Sequence, residues 1–144
     1  GYEEITAGAA DLRGKLRAIS LYFFDLSLAH EVQFRQFVGM ALLASATAPG
    51  TPHRGGRRLE MYRRALSEGE SRLEAAGQAR LVNALAATTG AEAMIALLDV
   101  AGAGAQEARL TVAGVTEAIL DRHFGVPGRT AAEGPGLCFG GDAS

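Results

Sequence analysis

"RLVNALAATTGAEAMIALLDVAG", residues 80–102, has only Glu92 and Asp99 charged between Leu81 and Gly102. Three architectures accommodate such a stretch: a membrane span, a helix inside a core, or a helix that buries part of its surface against a second copy of the chain. The length suits a span, which needs about twenty predominantly apolar residues. The content opposes it, because a central acid costs about 2.5–3.5 kcal/mol on insertion scales and alanine offsets little of that. Burial in the chain's own core explains the apolar count. It explains less well the small residues Ala84, Ala86, Ala87, Thr88, Thr89, Gly90, Ala91 and Ala93. These leave a smooth surface that another helix can approach closely with little side-chain entropy to lose. We therefore expect one helix serving two interfaces, one of them between copies.

Working outward, apolar spacing is helical nearly everywhere and the breaks fall at glycine and proline. The pattern predicts five helices, at about residues 9–29, 31–47, 55–68, 71–101 and 105–124. In the first, Leu12, Leu16, Ile19, Phe23 and Leu26 alternate at spacings of four and three, with Leu21, Phe24 and Leu28 on a neighbouring face, as in a well-covered central helix. The third turns Leu59, Tyr62, Ala65 and Leu66 inward and Arg57, Arg58, Arg63 and Arg64 largely outward, Glu60 can pair with Arg64, and Gly69 ends it. The fold class expected is all-α, an antiparallel bundle of about five helices over residues 1–125. Residues 126–144, rich in glycine and without periodicity, read as a flexible tail.

The 144 residues suffice for one self-sufficient domain, and 48% apolar with 21% charged is an ordinary balance for a globular chain. A net charge of −2 gives no electrostatic reason to bind nucleic acid directly. The single cysteine, Cys138, cannot form an internal disulfide, which fits a reducing cytoplasm. The opening residues lack the apolar core of a signal peptide. Starting at Gly1 rather than methionine suggests a fragment or a processed product.

Catalysis is not expected. His30, His53 and His123 have no spacing that places two metal ligands on one helix face, although His30 beside Glu31 is a conceivable pair. Cys138 has no basic neighbour to activate it. "GAGAQEA", 102–108, lacks the strand and third glycine of a dinucleotide fingerprint and reads as helix breakers. "HRGGRR", 53–58, fits either an anion-binding turn or, as we favour, a solvated helix face. Neither a cofactor nor a metal is called for.

Four segments carry a resemblance: "FRQFVGMALLAS" (34–45), "RGGRRLEMYRRAL" (54–66), the opening stretch (80–102) and "AQEARLTVAGVTEAIL" (105–120). In this order they resemble the carboxy-terminal sensor domain of TetR-type transcriptional regulators, and with the first helix the likeness covers most of residues 9–122. The resemblance implies a cytoplasmic repressor domain that binds a small effector and dimerises through its last two helices as a four-helix bundle. Operator DNA would be bound only through an amino-terminal helix-turn-helix head, which this chain lacks. "AGVTEAILDRHFG", 113–125, superficially resembles that head's turn and recognition helix. Its lead "GAGAQEARL" is too short, no linking helix follows, and Glu117 and Asp121 would face outward, so we read it as a packing helix.

The expected homodimer interface comprises Leu85, Thr88, Thr89, Glu92 and Ala96 with Val112, Val115 and Ile119, beside the small residues Gly114 and Ala118. The expected effector cavity is lined by Phe23, Phe24, Phe34, Phe37 and Tyr62 and by Met40, Met61 and Met94, with Tyr62 or His30 as a polar handle. Flat rings and flexible methionines suit an apolar or aromatic effector, and equally suit plain core. Asn83 and Glu92 would orient such a ligand or bond across the dimer. Two rivals stand beside this reading: a ligand-independent helical dimer or adaptor, and a small helical enzyme or metal carrier.

Overall fold

Asp11 decides where the central helix with the wide apolar belt begins: its carboxylate accepts a hydrogen bond from the Gly14 N–H at 2.7 Å, satisfying one of the donors that a first helical turn leaves open. That helix is the second of seven in the computed structural model, which describes residues 1–48, 50 and 56–128. They are α1 (Tyr2–Thr6), α2 (Leu12–Ala29), α3 (Glu31–Thr47), α4 (Gly56–Glu68), α5 (Ala75–Thr88), α6 (Ala91–Ile95, continued by a π-helical turn, Ala96–Val100) and α7 (Ala105–Phe124). There is no strand among the described residues, so the expected all-α class holds. His53, Cys138 and most of the expected tail lie outside the described residues.

Two departures from the periodicity matter. The first is α1, which the sequence pattern did not suggest. Its Tyr2 is buried, its ring lies 4.0 Å beneath the Arg64 guanidinium, and its hydroxyl donates to Glu68 at 2.9 Å. Burial and that carboxylate push the Tyr2 phenol up to about 12. Arg64 pairs with Glu68 and Glu3 rather than with Glu60. The second departure is a break in the expected helix 71–101. Residues 70–74 are not helical, and at Thr89–Gly90 the axis turns by 42° between α5 and α6. Gly90 has φ +80° and ψ −160°, a conformation reserved almost entirely for glycine. No single helix among the described residues is long and apolar enough to cross a membrane.

Two apolar clusters form the interior. One gathers Leu16 and Ile19 of α2, Tyr62 of α4, Leu81 and Leu85 of α5 and Leu120 of α7. The other gathers Phe24 of α2, Ala93 and Met94 of α6, and Ala108 and Val112 of α7. The clusters are met in opposite order along α2 and α7, so these helices run antiparallel. Charge pairs lace their seam: Arg13 binds Glu117 at 2.8 Å and also Asp121, Arg17 meets Glu117 at 2.7 Å, and Arg109 grips both oxygens of Asp25 at 2.7 and 3.0 Å. Glu117 and Asp121 are thus engaged with α2 rather than turned freely outward. The helix from 105 to 124 is continuous, in keeping with a packing helix rather than a turn and recognition helix.

A layer of hydroxyls separates the clusters. Tyr62 Oη lies 2.8 Å from Ser20 Oγ and 3.1 Å from Thr89 Oγ1, while those hydroxyls also reach the Leu16 and Leu85 carbonyls at 2.9 and 2.6 Å. Three hydroxyl protons serve four contacts, so one contact at any moment lacks its proton. The Leu16 carbonyl lies inside α2 with a helical backbone donor of its own, so it is the contact that can go without the hydroxyl proton. Thr116 occupies the equivalent place on α7, between Val112 and Leu120, and its buried Oγ1 has no hydrogen-bond partner.

A buried hydroxyl without a partner costs about 1–3 kcal/mol in mutational data. Thr116→Val keeps the shape and removes that cost, so it should stabilise the chain by ~1 kcal/mol and raise Tm by roughly 3 °C. A fall in Tm on calorimetry would show that the hydroxyl is satisfied after all.

Candidate ligand cleft

The α5–α6 break leaves room for a guanidinium, and Arg58 fills it. Its side chain is only 13% exposed; Nη2 donates to the Ala86 carbonyl near the end of α5 at 3.1 Å and lies 3.6 Å from the Glu92 carboxylate in the first turn of α6. A Cβ on Gly90 would stand 1.5 Å from Arg58 Nη1, so the missing side chain is what admits the arginine. The expectation that Arg58 points outward is therefore corrected. A cation suits the negative carbonyl end of α5, and Glu92 suits the positive start of α6.

Beside this seat lies an apolar cleft of about 310 Å³ where α2, α3, α4 and α6 meet. Phe23, Leu26 and Ser27 of α2 line one side, and Phe34, Phe37 and Val38 of α3 face them. Gly56, Arg57 and Arg58 of α4 and Ala91 and Glu92 of α6 complete it. Its size is at the low end of the roughly 300–1,000 Å³ common for small-molecule sites.

Three of the nine residues expected around an effector, Phe23, Phe34 and Phe37, meet here. The others do not join them. Phe24 is one residue, or about 100°, around α2 from Phe23, and it is fully buried with Met94 in the second cluster. Tyr62 is fully buried in the first cluster with its hydroxyl committed to Ser20 and Thr89, and burial pushes that phenol up; Met61 packs against the same cluster. Met40 is 74% exposed on α3, and His30 is exposed at the α2–α3 junction, so neither serves as a lining side chain or handle. Helical period places residues on a face; it does not say which neighbour that face meets.

The expected dimer residues divide in the same way. Leu85, Thr89 and Val112 are buried in the chain's own interior, and Ile119 packs partly against the first cluster. Leu85, Thr89 and Val112 are corrected from interface to core, while Ile119 keeps a partly exposed side chain. Thr88 is half-buried with its hydroxyl on the Ala84 carbonyl at 2.8 Å, whereas Glu92, Ala96 and Val115 are exposed. What α7 leaves open is a face of Leu110, Gly114, Val115 and Ala118. On α5, which packs against α7, Ala76, Ala79, Asn83 and Ala87 are open.

The acids of the opening stretch now have explanations. Glu92 stands beside Arg58, and Asp99 is held by both terminal nitrogens of Arg35 at 2.7 and 2.6 Å, joining α3 to the π-helical turn. Sequence reasoning missed Arg58 as an inward residue. The available signal was "TTGAE", 88–92, in which a glycine after two hydroxyl residues and before an acid marks one helix ending and another starting. Among the described residues, no group of three or more His, Cys, Asp or Glu side chains is placed to hold a metal. Comparison with protein-family models, curated proteins and solved structures returns no match.

Gly90→Ala forces a side chain into a glycine-only conformation and displaces the guanidinium, and we expect a loss of about 1–3 kcal/mol in a denaturant titration. An unchanged midpoint would show that the break is not held as described. The bonds from Arg35 hold the Asp99 carboxyl below the usual aspartate range. Because its folded value lies below the unfolded one, the contribution to stability is complete above about pH 4 and fades as pH falls through the folded value. Carboxyl NMR should show an Asp99 midpoint that rises in Arg35→Gln; identical midpoints would refute the clasp.

Proposed function

We propose that this chain is the effector-sensing and dimerisation part of a TetR-type transcriptional repressor. The observation that carries the reading is the aromatic cleft, set where four helices meet and bounded by a helix break that ligand can bias. An apolar or aromatic effector between Phe23, Phe34 and Phe37 would favour one arrangement of α2 and α3 over another. That preference, equal to the difference in ligand affinity for the two arrangements, would be passed to a DNA-binding head outside this chain. The chain itself performs no catalysis in this account.

The open faces of α5 and α7 support pairing of two copies as a four-helix bundle. Ala76, Ala79, Ala87, Gly114 and Ala118 are small enough for close helix approach, and Leu110 and Val115 add apolar area beside them. Pairing between identical faces is the commonest form of protein association. A ligand-independent adaptor is the second reading. It is favoured by the apolar ridge of α3, where Val32, Met40, Leu42 and Leu43 are all exposed.

Light scattering at micromolar concentration should return the mass of two chains, and Gly114→Arg should return one while leaving the far-ultraviolet circular dichroism unchanged. A single-chain mass for the unmodified protein would overturn the dimer. A thermal-shift screen with apolar aromatic compounds should raise Tm by several degrees. An adaptor would be unmoved by every compound.

A further inference from the structure

The charges around the cleft are not what a purely apolar ligand requires. Arg57 and Arg58 sit in the first turn of α4, where the helix dipole is already positive and cations are disfavoured. Arg58 is partly balanced by Glu92, but its buried Nε has no hydrogen-bond partner, and Arg57 has no ion-pair partner among the described residues. A helix amino terminus with two guanidinium groups beside a wall of phenyl rings is complementary to a ligand with an anionic head and an apolar body.

We propose that the cleft takes a small monocarboxylate with an aromatic or short acyl body, its carboxylate set against Arg57 and Arg58 and its body against Phe23, Phe34 and Phe37. This rests on the sensor reading above and adds the chemical class of the effector. A single carboxylate suits the lining better than a phosphate, because the Glu92 carboxylate in the same lining opposes a second negative charge on the ligand. The volume of about 310 Å³ admits a phenylalkyl chain and little more. Arginine suits the role because its fork meets both carboxylate oxygens at once.

The test is calorimetric titration of the whole chain with phenylpropionate and with phenylpropanol, which share a body and differ in the head. The carboxylate should bind at least about tenfold more tightly, equivalent to about 1.4 kcal/mol. Arg57→Gln, an exposed position whose replacement leaves Tm in place, should remove most of that preference. Phe37→Ala, also exposed, should weaken both ligands. Equal binding of acid and alcohol overturns the carboxylate assignment and leaves the sensor reading standing. A preference undiminished in Arg57→Gln overturns the assignment to these arginines. No binding of either ligand at millimolar concentration overturns the monocarboxylate assignment, while the sensor reading stands or falls with the thermal-shift screen above.

Discussion

The guanidinium of Arg58 in the notch at Gly90 is the contact on which the arrangement of the molecule depends. An alanine-rich segment of this length tends to remain one straight helix, since alanine is the strongest helix former and the apolar period continues through the notch. The chain instead turns at Thr89–Gly90, and the groups exposed by the turn are matched one by one. The Ala86 carbonyl receives Arg58, Thr89 joins the Tyr62 hydroxyl chain, and Glu92 approaches the same arginine from the far side. Both ends of the break are thereby fastened to α4.

Several features follow from that turn. It carries α6 toward α2 and α7, so that Met94 completes the second apolar cluster. It also brings Ala91 and Glu92 to the floor of the cleft that Phe23, Phe34 and Phe37 wall. The π-helical turn after α6 then delivers Asp99 to Arg35, and Gly102, at φ +66°, releases the chain toward α7. Helix α3 is held by this clasp, by Val38 and by Phe34, which packs against the second cluster. The rest of it presents an apolar surface, with Phe37 at the cleft mouth 54% exposed. A helix attached this lightly is suited to move when a ligand enters beside it.

The helical period made much of the fold legible. α2, α3, α4 and α7 fall close to their expected ranges, and Leu16, Ile19, Val38 and Leu66 are buried as the alternation of three and four implies, whereas on α7 the buried face runs through Thr116 and Leu120 and leaves Val115 exposed. α1 was not legible, since Tyr2 is buried by a stacked arginine 62 residues away rather than by a periodic apolar face. The break was not legible from periodicity because the contact that stabilises it comes from a residue 28 positions earlier. For the site, three phenylalanines were foreseen, while the arginines of "HRGGRR" were weighed as an anion-binding turn and read instead as a solvated helix face. Charge in a sequence reads as a solvated face unless its buried counterpart is known, and here that counterpart is a backbone carbonyl freed by a turn the pattern did not reveal. The same reason misplaced Leu85, Thr89 and Val112, whose neighbours are fixed by the turn.

Amide hydrogen exchange on Arg58→Met, which keeps an unbranched apolar stem and deletes the guanidinium, tests the central contact most directly. If the arginine fastens the break, protection should fall in the amides of residues 89–95 while the α2–α7 seam stays as slow as in the parent chain. Exchange in 89–95 that is unchanged, or a loss spread evenly over all helices, would contradict the account.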